Sequence, residues 1–133
     1  MSRSEPDGKE TLTPAPPVDV VLFGTDWRTR AMARAQLIEE GYEVLATERW
    51  PDVRRWLRSV PQPRAAVVDL KGVKRPTDLL EDLRDLMNSN RVLILTGLAT
   101  IAPTDVKRFG FRVLARPFSV GDVVAAVTRV IGR

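Results

Sequence analysis

Three polar residues of different chemistry each stand at the end of an apolar run. Asp69 closes "AAVVD", Thr96 closes "VLILT", and Arg116 follows "RVLA". Short runs of small and branched apolar residues that end at a turn signal are typical of buried strands. A carboxylate, a hydroxyl and a guanidinium at strand exits are either structural partners or the working groups of a site.

The residue types that the chain lacks narrow the chemistry. Its 133 residues include no cysteine and no histidine. This removes thiolate metal sites, most zinc sites and the usual catalytic dyads and triads. No glycine-rich phosphate loop is present either. An enzyme acting on a small substrate is therefore the least favoured function, and we expect a chain that is not an enzyme.

The three polar residues are positioned by an alternation of strands and helices. Apolar runs predict strands over 18–23, 42–47, 64–70, 91–97 and 112–117. Helical spacing predicts helices over 26–41, 50–60, 77–90, 103–110 and 119–133. Five strand–helix repeats predict an α/β fold with a doubly wound parallel sheet and helices on both faces. Ligands of such folds bind at the carboxyl ends of the strands, where Asp69, Thr96 and Arg116 would meet.

Capping residues predict where several helices begin. Asp26 precedes the first helix and Thr77 the third. Ser119 and Asp122 have the spacing of a capping box at the start of the fifth. The arginines of the first helix, Arg30 among them, are interpreted as a solvated face.

The first 17 residues differ in composition from the rest. Residues 1–17 are polar, proline-rich and without hydrophobic periodicity, so we expect a disordered N-terminal tail before a folded domain over 18–133. No apolar stretch approaches the roughly 20 residues that span a bilayer. The N-terminus has no hydrophobic signal region. These features predict a cytoplasmic protein with no membrane partner.

The folded part is basic. The whole chain has a net charge of +4, and residues 18–133 carry 19 basic and 14 acidic side chains. Such a balance allows contact with nucleic acid. The densest cluster is Arg54, Arg55 and Arg58, and no aromatic residues are interleaved with it in the manner of an RNA-binding motif. A solvated surface is the favoured interpretation.

Residues 18–133 resemble a response-regulator receiver domain. The resemblance rests on the strand–helix order and on "LIEEGYEV", "VVDL", "LILTG" and "ARPFS" at matching places. It implies a flavodoxin-like five-stranded sheet of order 2-1-3-4-5. It also implies a phosphoacceptor aspartate and a Mg²⁺ ion held by that aspartate, two acids after the first strand and a backbone carbonyl. A lysine before a proline, usually across a cis bond, and a hydroxyl residue contact the phosphoryl group.

The family pattern matches this sequence only in part. Asp69 matches the phosphoacceptor and Thr96 the hydroxyl residue, while Arg116 stands in place of the lysine. The positions of the two acids fall on Gly24 and Thr25. A planar guanidinium does not replace a compact ammonium without a change of geometry.

Two further positions depart from the family pattern. Val113 stands where the family has an aromatic switch residue, and Lys71 would supply the carbonyl ligand. Asp26 is the nearest substitute acid, so Asp26 and Asp69 are weak metal candidates. Mg²⁺ is commonly bound through one or two carboxylates plus phosphate oxygens. We therefore expect an Asp69–Arg116 ion pair and no cofactor, with Mg²⁺ only if Asp69 is a phosphoacceptor.

The favoured function is a degenerate receiver domain that acts as a phosphorylation-independent protein-interaction module in bacterial signalling or transcription regulation. One alternative is a genuine response regulator that is phosphorylated on Asp69. A second is a small basic protein associated with nucleic acid. The expected partner is a signalling or transcription protein, and a homodimer is possible.

Four aromatic residues are candidates for the interaction surface: Trp27, Trp56, Phe109 and Phe111. Tryptophan is enriched at the energetic centres of interfaces. The alternative for each of them is packing in the core or over the edge of the sheet. Trp50, by contrast, fits the apolar stripe of its helix and is expected inside.

Overall fold

The computed structural model describes residues 18–97 and 101–132. The strands are β1 (Val20–Phe23), β2 (Val44–Thr47), β3 (Ala65–Asp69), β4 (Val92–Thr96) and β5 (Arg112–Ala115). The helices are α1 (Trp27–Glu39), α2 (Trp50–Leu57), α3 (Pro76–Leu86), α4 (Pro103–Lys107) and α5 (Val120–Ile131), with one 3₁₀ turn at Ser89–Arg91. All strand pairs are parallel and the order is β2-β1-β3-β4-β5. The predicted fold is confirmed. The tail predicted over 1–17 lies outside the described residues.

The sheet separates two apolar layers. Strands β1, β3 and β4 are buried along their whole length, as expected of parallel strands covered on both faces. Successive residues of each strand alternate between the layers: Val68 packs with residues of α2 and α3, and Val67 with residues of α1 and α5. The central strands are thereby held between helices, which leaves their ends open for a site.

The helix starts follow the expected chemistry with one exception. Asp26 accepts a hydrogen bond from the backbone N–H of Arg28 at 3.3 Å, and Ser119 with Asp122 forms a complete capping box. The cap predicted at Thr77 is wrong, because α3 begins at Pro76. Proline is favoured at the first helical position, where its fixed φ fits and its missing N–H leaves no donor unsatisfied.

The structure divides the candidate surface aromatics. Trp27 is 63% exposed, while Trp56 and Phe109 are half-buried against the α2–α3 layer. Phe111 is 3% exposed and belongs to the core. The surface role considered for Phe111 is therefore corrected: its ring lies parallel to that of Phe109, 6.0 Å away, and faces inward.

Trp50 is half-buried and joins two elements. Its ring meets Phe23 edge-on at 5.2 Å, and its indole N–H donates to Asp82 at 2.7 Å.

Within residues 18–97 and 101–132, no helix combines the length and the apolar character that crossing a bilayer requires.

Candidate functional site

The predicted site residues meet at the carboxyl edge of the sheet. Asp69 pairs in register with Leu95, and Thr96 pairs with Ala115, so that Asp69, Thr96 and Arg116 stand at the carboxyl ends of three adjacent strands, each one residue further out than the one before. Asp69 and Thr96 are buried. The parallel topology therefore brings together side chains that are far apart in sequence.

Arg116 and Asp69 form a two-point ion pair. The Nη2 atom of Arg116 lies 2.7 Å from Oδ2 of Asp69, and its Nη1 atom lies 3.0 Å from Oδ1. The side chain of Asp69 is 3% exposed and that of Arg116 is 23% exposed. Paired charge-assisted hydrogen bonds of this kind are the strong ones in proteins. The ion pair expected from the sequence is confirmed.

Further contacts fix the ion pair on both sides. The backbone N–H of Lys71 donates to Oδ1 of Asp69 at 3.0 Å. Arg116 donates from Nη1 to the carbonyl of Thr96 at 3.2 Å, and its guanidinium lies 4.9 Å from the ring centroid of Phe118. The Arg116–Pro117 peptide bond is cis, the isomer usual at this step in the family that the sequence resembles. Both carboxylate oxygens are thereby engaged by donors of the chain itself.

Thr96 contributes its backbone to this arrangement. Its carbonyl accepts from both the backbone N–H and the side chain of Arg116. Its side chain is buried, and no hydrogen bond of the hydroxyl group is found within residues 18–97 and 101–132. The hydroxyl group lies at the expected position without taking part in the ion pair.

The two positions that the resemblance assigns to acids have other roles. A Cβ atom on Gly24 would lie 3.4 Å from the Cβ atom of Asp69, so the backbone of Gly24 packs directly against this side chain. The hydroxyl group of Thr25 donates to the carbonyl of Lys71 at 2.9 Å. The carbonyl that would be a metal ligand is thus a hydrogen-bond acceptor for Thr25. The β1–α1 and β3–α3 loops are joined by this bond.

Asp26 is engaged as the cap of α1. Its carboxylate accepts from the Thr29 hydroxyl group at 3.0 Å and from Nζ of Lys71 at 3.0 Å, besides the backbone N–H of Arg28. The hydrogen bond from Lys71, followed by that from Thr29, holds the pKa of Asp26 below its usual value. Asp26 therefore has partners that compete with any ion.

The residues present do not fit a magnesium ion. Within the described part of the chain, no group of three or more histidine, cysteine, aspartate or glutamate side chains is placed to hold a metal. Mg²⁺ dehydrates reluctantly and demands near-octahedral oxygen ligands. Asp69 supplies one carboxylate, and a guanidinium already occupies both of its oxygens.

Arg30 is a site residue that the sequence interpretation missed. It was assigned to a solvated helix face, but its Nη1 atom donates to the carbonyl of Gly24 at 2.6 Å. Side chains of a helix point back toward its N-terminus. An arginine four residues after the Asp26 cap can therefore reach the strand end, and this spacing was the available signal.

Neither a protein-family model nor a curated protein matches the chain. Several solved structures match it in fold. A response regulator receiver domain protein from Clostridium thermocellum is 21% identical with a TM-score of 0.71, covering 87% of this chain and 95% of that one. A response regulator from Thermotoga maritima is 16% identical with a TM-score of 0.70, covering 89% and 100%. A response regulator receiver protein from Sinorhizobium medicae is 17% identical with a TM-score of 0.69, covering 87% and 95%. The chain has the fold of response-regulator receiver domains.

The first prediction concerns the two partners of the ion pair. Arg116→Met should lower the free energy of unfolding by about 3 kcal/mol, because it leaves a buried carboxylate without its counter-charge. Asp69→Asn should cost only about 1 kcal/mol, because the amide still accepts a hydrogen bond and the guanidinium can reach water. Urea denaturation measures both, and the double variant should be more stable than Arg116→Met alone. A loss in Arg116→Met no larger than that in Asp69→Asn would contradict the expected cost of a buried carboxylate without its counter-charge.

The second prediction concerns the loop after β3. Gly72 has φ +78°, and a Cβ atom there would lie 2.7 Å from Oγ1 of Thr25. Gly72→Ala should therefore lower the free energy of unfolding by about 1–3 kcal/mol. Gly97→Ala is the matched control at the same edge, since its nearest neighbours lie 3.7 Å away. Thermal melts of the two variants measure the difference in stability. Similar melting temperatures would show that the backbone at Gly72 does not require glycine.

The third prediction concerns acid stability. The pKa of Asp26 is lowered from 3.8 in the folded chain, chiefly by the hydrogen bond from Lys71. Its contribution to stability is thus complete above pH 3.8 and is lost as the pH falls through the folded value. Lys71→Met should raise the titration midpoint of the Asp26 carboxyl carbon, measured by ¹³C NMR. An unchanged midpoint in Lys71→Met would remove Lys71 as the cause.

Proposed function

We propose that this chain is a protein-interaction module of bacterial signalling or transcription regulation that works without phosphorylation of Asp69. It acts in the cytoplasm, has no enzymatic activity of its own, and recognises its partner through its surface. The observation that supports this proposal is the two-point contact between Arg116 and Asp69, which engages both carboxylate oxygens.

Phosphoryl transfer to an aspartate has requirements that this edge meets poorly. The attacking oxygen must be accessible, and a cation must neutralise the charge on the transferred group. Asp69 is buried, and its oxygens accept from Arg116 and from the backbone of Lys71. A phosphoryl donor would have to break a preformed ion pair before any reaction begins.

The same contacts favour a single arrangement of the loops. Arg116 connects the β5–α5 loop to β3, and Thr25 connects the β1–α1 loop to Lys71. A switch needs two conformations of comparable free energy and a ligand that distinguishes them. In the proposed function the partner recognises one constant surface, to which exposed residues such as Trp27 contribute.

The ion pairs of Arg54 and Arg55 favour a protein partner over a nucleic acid. Arg54 pairs with Asp82 at 3.2 Å, and Arg55 pairs with Asp52 at 3.2 Å. Phosphate binding depends on cations that can neutralise the backbone of the nucleic acid. Two arginines of the cluster already have acidic neighbours, so the local positive charge is smaller than the sequence indicated.

The fourth prediction tests the phosphorylation-independent function. Addition of beryllofluoride and Mg²⁺ to the ¹⁵N-labelled protein should cause no saturable shifts of the amides around Asp69 and Thr96. Both oxygens of Asp69 are engaged by Arg116, and residues 18–97 and 101–132 contain no group of three or more acidic side chains placed to hold the ion. Saturable, Mg²⁺-dependent shifts that vanish in Asp69→Asn would instead establish Asp69 as a phosphoacceptor.

A gain-of-function variant is the positive control. Gly24→Asp, Thr25→Asp and Arg116→Lys together restore the acids and the lysine of the family pattern. The space beside Gly24 is narrow but open, since a Cβ atom would lie 3.4 Å from Asp69. This variant should acquire Mg²⁺-dependent amide shifts, which shows that the assay detects such a site.

Two partner assays separate the remaining alternatives. A stoichiometric protein partner should be recovered equally by the wild type and by Asp69→Asn. Salt-sensitive binding to DNA or RNA that is abolished by reversing Arg54, Arg55 and Arg58 would support the nucleic-acid alternative.

A further inference from the structure

Helix α1 has an apolar stripe on the side that faces solvent. Trp27 and Ile38 are 63% and 44% exposed, and Ala31 between them is exposed as well. With Arg34 these residues follow the spacing i, i+4, i+7, i+11, which places them on one line along a helix. We call Trp27, Ala31, Arg34 and Ile38 the outer stripe.

This stripe is additional to the face that packs on the sheet. Ala33 and Leu37 are the buried residues of α1, and they contact the layer that α1 shares with α5. Packing within one chain therefore accounts for one apolar face of α1. Among residues 18–97 and 101–132, nothing buries the outer stripe, whose four members are all exposed.

The charges of α1 oppose the dipole of the helix. Arg28 and Arg30 lie in the first turn, and Glu39 with Glu40 lies at the other end. Cations are unfavourable near the positive end of a helix, and anions near its negative end. The helices α2, α3 and α4 have the favourable arrangement, with an acid in the first turn and a base in the last. Asp26 caps the helix, and Arg30 donates to the carbonyl of Gly24 within the chain. Arg28 near the start of α1 and Glu39 near its end are charges that remain exposed at the surface.

We propose that the outer stripe of α1 binds the outer stripe of a second copy, with the two helices antiparallel about a twofold axis. Trp27 then lies opposite Ile38 of the second copy, and Ala31 lies opposite Arg34. Small Ala31 leaves room for the aliphatic part of the arginine, which can cover apolar surface while its charge stays in water.

Charge complementarity selects a second copy as the occupant. In an antiparallel pair the Arg28 end of one helix meets the Glu39 end of the other, and the same contact is repeated by symmetry. The acids of each copy then lie beside the positive end of the opposite helix. A parallel pair would place arginines against arginines. One helix from each copy makes a small interface, so the dimer is weak and forms at high concentration.

Sedimentation velocity over about 10 µM to 1 mM tests the proposal, a range suited to the weak association expected of a small interface. The wild type should shift reversibly from monomer to dimer. Ile38→Glu should stay monomeric with an unchanged far-ultraviolet spectrum, because it places charge in the stripe. Ala125→Glu, at an exposed position of α5, is the matched control and should dimerise as the wild type does. A wild type that is monomeric throughout, or an Ile38→Glu variant that still dimerises, would overturn the proposal.

Charge reversal tests the pairing of the two ends. Arg28→Glu should abolish the homodimer, as should Glu39→Arg, whereas an equimolar mixture of these two variants should form a heterodimer. The first variant should keep or raise the melting temperature, because it corrects the charge at the helix start. Asp69→Asn should dimerise normally, which separates this inference from the proposed function. Failure of the mixture to associate would overturn the pairing.

Discussion

The two-point contact between Arg116 and Asp69 determines how the carboxyl edge of the sheet is arranged. A carboxylate as buried as that of Asp69 is tolerated only with a counter-charge and satisfied hydrogen bonds. Arg116 provides both from a position 47 residues further along the chain. Because Asp69 ends β3 and Arg116 follows β5, the two side chains meet only in a sheet whose strands have this order.

The three residues that differ from the family pattern, Gly24, Thr25 and Arg116, all affect cation binding in the same direction. Gly24 removes a negative charge and packs closely on Asp69. Thr25 replaces another acid and uses the Lys71 carbonyl as an acceptor. Arg116 adds a fork of donors where a single ammonium would leave an oxygen available. Each change lowers the attraction for a divalent cation, and each also supplies a contact within the chain. The Asp69 carboxylate and the Lys71 carbonyl thereby have their hydrogen-bond partners within the chain.

Most of the fold and part of the site could be predicted from the sequence. Strands that are buried on both faces appear as uninterrupted apolar runs, so the strands and their approximate bounds were predictable. Their order in the sheet followed from the resemblance to receiver domains, and that order placed Arg116 beside Asp69. The Thr77 cap failed because proline one residue earlier starts α3 by fixing its own backbone. The burial of Phe111 and the inward reach of Arg30 depend on packing between elements. No pattern of neighbouring residues carries that information, although the distance of Arg30 from its cap indicated that it could reach the strand end.

The unequal exposure of the ion pair has a consequence for the surroundings in which the chain works. Water reaches part of the Arg116 guanidinium but almost none of the Asp69 carboxylate. Mobile ions screen exposed charges over about 8 Å at physiological ionic strength, and they screen buried pairs much less. The ion pair, and with it the shape of this edge, should therefore depend little on the salt concentration. Such constancy is what the proposed phosphorylation-independent recognition requires of this edge.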